Sequence, residues 1–209
     1  MIPMKEIEIK VHLINWLLDN RPSGTLIGSE VRFDFGSRRV DVITLNENIA
    51  CAYEIKGIGD SLKRLGHQVD GYKQYFDECY IVCEKNNISA VRKIISRDIG
   101  IIVVDNTQVL PIRRSNRFKK LSKISLMSTV DISYMKQTLK LNKASKHELC
   151  ESFSEKYRLM EVKEISRNFL KNKLEIPFET FLKEVGQEIN HDDISTLNRM
   201  PSIELFSLT

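Results

Sequence analysis

Two short runs constrain this chain more than any other feature. They are Arg39-Val40-Asp41-Val42-Ile43 and Tyr53-Glu54-Ile55-Lys56-Gly57. In the first, Val40 and Val42 flank Asp41 with the period of two expected of a half-buried strand. In the second, Glu54 and Lys56 stand two apart, so both side chains leave one face while Ile55 takes the other. Adjacent strands of this kind gather an Asp, a Glu and a Lys on one sheet. Such a group is costly to assemble unless a cation and an anionic ligand offset it. A hard divalent cation held by Asp41 and Glu54 beside Lys56 would do so, and that is the chemistry of phosphodiester cleavage.

The surrounding pattern predicts a mixed α/β fold. A helix is expected over 4–20, where Ile7, Val11, Ile14, Leu17 and Leu18 recur at helical spacing. Strands are expected over 26–35, 38–45 and 49–56, forming an antiparallel meander. Asp60 to Phe76 carries the clearest apolar stripe, with Leu62, Leu65, Val69, Tyr72 and Phe76. A buried strand at 79–83, a helix at 88–97, a strand at 100–104 and an edge strand at 108–112 follow. A helix between two strands predicts a parallel crossover, hence a mixed sheet covered by helices. Beyond about residue 112 strand signals give way to basic, helical segments. Helices are expected at 131–139, from Ser145 onward, at 162–170 and at 177–185. The expected division is a first domain over 1–112, a basic helical subdomain over 113–190 and a flexible tail over 191–209.

This arrangement resembles the PD-(D/E)XK nuclease superfamily. There an Asp is followed, on the next strand, by Glu-x-Lys, which here stands as Asp41 and Glu54-Ile55-Lys56, thirteen residues on. Gln68-Val69-Asp70-Gly71-Tyr72 resembles the QxxxY motif of the RecB-like and lambda-exonuclease-like members. The proline of the family name is absent, Val40 standing before Asp41. The resemblance covers roughly residues 4–104 and looks closest to a bacterial and phage branch with a helical C-terminal part. It implies a restriction-endonuclease-like αβββαβ core and a metal-dependent nuclease that hydrolyses DNA with Mg2+ or Mn2+.

The same resemblance implies Asp41, Glu54 and the main-chain carbonyl of Ile55 as metal ligands, with Lys56 acting on water or on developing negative charge. The bland alternative for Lys56 is a surface lysine paired with Glu54. Glu30, on the neighbouring strand, is a further ligand or a solvated edge glutamate. In relatives the extra carboxylate sometimes comes from the first helix, where Glu6 and Glu8 are available. Gln68 and Tyr72 share one helix face. Gln68 would hold a water or phosphate oxygen near Lys56, while Tyr72 equally suits the core. Arg38, Arg39, Lys63 and Arg64 are candidate phosphate contacts, with ordinary surface charge as the equal alternative.

Charge distribution adds a partner. Residues 111–146 hold ten Lys or Arg against one acid, Asp131, a segment charge of +9 within a net charge of +4. Arg113, Arg114, Arg117, Lys119 and Lys120 lead it. A block of this kind suits a nucleic-acid backbone, although a solvated basic surface is common. No apolar run reaches membrane-spanning length, and no membrane partner is expected. Four cysteines without zinc spacing read as buried thiols, hence a cytoplasmic setting. No GxxxxGK loop is present. The sequence leaves the oligomeric state open, a homodimer being one candidate because many nucleases pair up to cut two strands. The competing functions are a nucleic-acid-binding module without catalysis, or an interaction subunit of a phage or defence system.

Overall fold

The computed structural model describes residues 4–106, 108–186 and 188–198. Six strands form one mixed sheet in chain order: β1 (Leu26–Phe33), β2 (Arg38–Asn46), β3 (Ile49–Lys56), β4 (Glu78–Cys83), β5 (Gly100–Val104) and β6 (Val109–Arg113). The first three are antiparallel, β3, β4 and β5 run parallel, and β6 returns antiparallel at the far edge. Helix α2 (Leu65–Tyr75) links β3 to β4, and α3 (Ile88–Ile94) links β4 to β5. The central strands are buried on both faces, as continuous apolar runs such as Gly100–Val104 require.

Each face carries its own core. Helix α1 (Glu6–Asn20) and helix α8 (His191–Leu197) cover one face, packing Ile9, Leu13 and Ile194 against Val42, Tyr53 and Ile55. The other face is covered by α2, α3, α4 (Lys123–Met127), α5 (Ile132–Leu139) and α6 (Lys146–Lys156). Helix α7 (Leu159–Glu184) belongs to both: Val162, Leu170 and Leu174 join the second core, Phe178 and Phe181 the first. It crosses close over β1, where Gly28 makes room. A Cβ there would lie 2.4 Å from the Leu174 side chain.

Several expectations are corrected. Strand β1 ends at Phe33, and Asp34-Phe35-Gly36 form a turn with φ of 50°, 56° and 83°. Residues 162–185 were expected as two helices separated near Pro177. They belong to one helix of 26 residues that contains the proline. The buried series Leu170, Leu174, Phe178 and Phe181 continues through it, and packing outweighs the ~3 kcal/mol that a helical proline costs. Residues 191–197, expected within a flexible tail, form α8 and bury Ile194 and Leu197. Residues 199–209 of that tail lie outside the described residues. Leu126, Met135, Leu149 and Phe153, from the stretch expected as a separate helical subdomain, share one continuous core with the sheet.

A buried ion cluster ties α7 to the sheet. Arg167 is fully buried and donates from Nη2 to the Tyr75 carbonyl and, at 3.1 Å, to Asp77 Oδ2. Asp77 also pairs with Lys163 and accepts from the Ala50 amide at 2.9 Å. Its carboxylate thus joins the start of β3 to the first half of α7, and Arg167 extends the link to the end of α2. Replacing Arg167 by Ala would leave a buried carboxylate short of a partner and open a cavity. The expected loss is about 3–5 kcal/mol, read as a lower urea midpoint with an unchanged m-value.

Candidate functional site

The site forms where regular strand pairing lapses. The β1–β2 register would set Glu30 opposite Asp41, yet Ser29 pairs with Val42 and Val31 with Val40 while those two residues stay unpaired. Glu30 takes φ 54°, a left-handed conformation costing of order 1–3 kcal/mol for a non-glycine residue. Side-chain alternation resets at the same point. Val40 packs in the α2-side core and Val42 in the α1-side core, although they stand two residues apart. Asp41 therefore does not sit in the regular period-two strand expected for it. The β2–β3 ladder ends at Val42 and Tyr53, and the Asp41 carboxylate takes up the slack by accepting the Ile55 amide at 2.7 Å.

Glu54 and Lys56 project to the α2 side, as their spacing requires. Lys56 Nζ donates to Glu54 Oε1 at 2.7 Å and to Gln68 Oε1 at 3.3 Å. Gln68 Nε2 donates to the same Glu54 oxygen at 2.6 Å, and Tyr72 donates its hydroxyl to Glu54 Oε2. Gln68 and Tyr72, one turn apart on α2, thus clamp both Glu54 oxygens. Burial, then the Glu54 charge, pushes the Tyr72 hydroxyl well above its usual range, so it stays a donor. Tyr72 meets both expectations: it is 1% exposed in the core and it touches the site.

On the α1 side, Glu6, Glu30 and Asp41 bring one carboxylate oxygen each within 4.8 Å of one another. Glu54 is not a member of that triplet, which Glu6 from α1 completes, although the Glu54 charge still acts on Asp41. Gly57 permits this approach. A Cβ there would lie 2.7 Å from the Glu6 amide nitrogen, and the Ile58 amide bonds the Met4 carbonyl at 3.1 Å. Glu8 is elsewhere, accepting the Lys5 amide at 2.6 Å at the helix start.

Lys10 is the main residue that reading the sequence missed. It is 4% exposed, pairs with Glu30, and lies 3.4 Å from Glu6. Its signal was a charged residue on the buried face of α1, four and seven positions before Ile14 and Leu17. Arg39 Nε contacts the other Glu30 oxygen at 2.6 Å. Four carboxylates (Glu6, Glu30, Asp41, Glu54) thus face three cations (Lys10, Arg39, Lys56). Burial first, and then the Glu54 charge, push the Asp41 carboxyl up to about 8, against the pull of the Ile55 amide.

This donor set fits a hard divalent cation. It offers oxygen ligands only, and the excess carboxylate is the one that burial penalises. Glu6, Glu30 and Asp41 would hold such an ion, with Glu54 behind them. Beside them a cleft of about 440 Å³ opens between the β1–β2 hairpin and α2. Arg38, Arg39, Arg64 and His67 line it, and Gln68 and Tyr72 form its inner wall.

The predicted basic residues divide. Arg39, Lys63 and Arg64 flank this cleft or the turn leading into α2. Arg113 to Lys120 do not approach it. Strand β6 lies three strands from β3, about 14 Å at ordinary strand spacing. Arg113 instead bonds the Ile99 and Ser96 carbonyls, and Arg117 pairs with Glu78. Arg114 lines a different hollow with Trp16, Tyr53 and Tyr80, while Lys119 and Lys120 line another beside Phe118.

Comparison with known proteins places the chain. Protein cII of Enterobacteria phage P4 is 28% identical over 209 residues, covering 94% of this chain and 78% of that protein. Among solved structures, the SPO1766 protein of unknown function from Silicibacter pomeroyi aligns at a TM-score of 0.44 and 15% identity. That alignment covers 68% of this chain and 96% of the other. Residues 3–198 match the family described as Bacteriophage P4 protein cII. With that match spanning nearly the whole chain, the protein belongs to the bacteriophage P4 protein cII family.

Proposed function

We propose that this chain is a metal-dependent nuclease of restriction-endonuclease-like architecture, acting on DNA. One observation carries the reading: Glu54, Lys56 and Gln68 meet at the end of β3 beside a cationic cleft, while Asp41, bonded to the Ile55 amide between Glu54 and Lys56, belongs to an acidic triplet with Glu6 and Glu30. Magnesium or manganese held there would polarise a phosphoryl oxygen and lower the pKa of a bound water. The chain's own residues do the rest. Lys56 presents an ammonium to the attacking water or to charge growing on the phosphoryl group. Gln68 and Glu54 fix its direction through bonds of 3.3 and 2.7 Å. Tyr72 holds the Glu54 carboxylate in place through its hydroxyl. Arg38, Arg39 and Arg64 provide anchorage for flanking phosphates.

A binding role without catalysis has one observation in its favour: both Glu54 oxygens are already bonded within the chain. Steep salt dependence of DNA affinity, with no product and no effect of divalent ions, would mark that role.

The purified chain is expected to cleave DNA with magnesium or manganese and not with chelator. Lys56→Ala should lower the rate by about 100-fold or more while leaving the fold intact by circular dichroism. Asp41→Ala should do the same. Equal cleavage by both variants and the parent would overturn the assignment.

Asp41 gives a second test through its titration. Its pKa rises from near 3.8 in the unfolded chain to about 8 in the folded one. The folded state therefore binds the extra proton between those values, and stability falls as pH rises through that window. Asp41→Asn keeps an acceptor for the Ile55 amide but carries no charge. In chelator, its thermal midpoint should exceed the parent's by a margin that widens from pH 5 to pH 8.5. Manganese should close the gap at pH 8.5 by stabilising the parent alone. A constant margin across pH would contradict the placement of the charge.

A further inference from the structure

The turn between β1 and β2 carries the least expected side chain on the surface. Asp34 and Phe35 are consecutive non-glycine residues in the left-handed region, with φ of 50° and 56°. Phe35 is nonetheless 40% exposed. Burial therefore gives little return for the strain, of order 1–3 kcal/mol per residue. The turn is braced from several sides. Arg38 Nε bonds Asp34 Oδ2 at 3.1 Å, Arg32 Nη1 bonds the Gly36 carbonyl at 3.1 Å, and Ser37 Oγ bonds the Asp34 carbonyl at 2.7 Å. One face of the Phe35 ring stacks on the His147 ring at 5.7 Å. His147 is itself largely exposed, at the start of α6.

Cations flank the turn on both sides. On one side is the cleft of Arg38, Arg39, Arg64 and His67. On the other, Arg32 and Lys173 line a second hollow of about 300 Å³ that reaches Glu30. Burial, then the charges of Arg32 and Lys146, hold the Lys173 ammonium below its ordinary range, so three cations crowd there. Lys146 precedes His147 at the start of α6, in the second half of the basic segment.

The geometry points to this turn as a stacking wedge for an unpaired nucleobase: Phe35 and His147 offer the ring faces, and the cations on either side hold the phosphates before and after it. An exposed aromatic between two cationic hollows is the chemistry of single-strand binding, where stacking tolerates any base. The inference rests on the nucleic-acid reading above and adds to it the strand state of the substrate. It would favour a single strand or a frayed end over a closed duplex.

The test uses the full chain in chelator, so that binding is read without cleavage. The probe is a single-stranded DNA oligonucleotide carrying 2-aminopurine, compared with an abasic version and a blunt duplex of equal phosphate count. The parent should bind the single strand more tightly than the duplex and quench 2-aminopurine emission. Phe35→Ala should weaken single-strand binding by about five- to a hundredfold and abolish the quench. Phe35→Trp should keep both. Phe35→Gly should bind as weakly as the alanine variant with a thermal midpoint at or above the parent's, because glycine takes the left-handed conformation freely. Unchanged affinity in Phe35→Ala, or equal binding of the abasic strand, would overturn the wedge. Metal-dependent cleavage persisting in that case would leave the nuclease reading standing. Stacking without any cleavage by the parent would sink the nuclease reading instead.

Discussion

The structure turns on the lapse of pairing at Glu30 and Asp41. A regular β1–β2–β3 meander would send alternate side chains to opposite faces and keep the carboxylates apart or solvated. Letting Glu30 adopt a positive φ and leaving Asp41 off the ladder breaks that alternation in two strands at once. The break leaves a notch at the end of the sheet, and acids from both faces reach it. Glu6 enters from α1 on one side. Glu54, gripped by Gln68 and Tyr72, stands on the other. Three ammonium or guanidinium groups offset four carboxylates, and the remaining excess falls on Asp41, whose burial makes it the least tolerant of charge.

Much of this was legible because it is local. Glu54 and Lys56 share a face through the period of a strand, and Gln68 and Tyr72 through the period of a helix, so spacing alone brings each pair together. Asp41 is joined to them by a short hairpin. The parts that were not legible depend on contacts distant in sequence. Lys10 looks like a misplaced charge on an apolar stripe until Glu30, twenty residues on, supplies its partner. Glu6 could not be told from Glu8 by spacing, because the choice is made by the close passage of Gly57 against the Glu6 backbone. Phe35 read as the end of a strand, since no local rule predicts two successive left-handed non-glycine residues.

The C-terminal half shows the same division. Helix existence followed from periodicity, but Pro177 suggested a break that the core does not permit. The Phe178 and Phe181 side chains pack against the α1 face, while Leu170 and Leu174 pack on the other, and a single rigid rod must connect them. Composition likewise counted ten cations in one segment without telling where they lie. The chain places Arg113 on the edge strand, where it bonds the Ile99 and Ser96 carbonyls, pairs Arg117 with Glu78 at the start of β4, and returns at α6, where His147 meets the Phe35 turn.

That return has a consequence for how the two halves depend on one another. Helix α7 carries Lys173 to the rim of the Glu30 notch, and α6 carries His147 to Phe35. Both helices are anchored far from the notch: α7 through Arg167 and Lys163 on Asp77, and α6 through Leu149 and Phe153 in the shared core. The first hundred residues contain the carboxylates, Lys56 and the cations of the cleft, while the second hundred add Lys173 beside Glu30 and brace the turn through His147. Anchoring α7 on the buried ion cluster and α6 in the shared core fixes Lys173 and His147 relative to the sheet, so the surroundings of Glu30 and Phe35 depend on packing contributed by both halves of the chain.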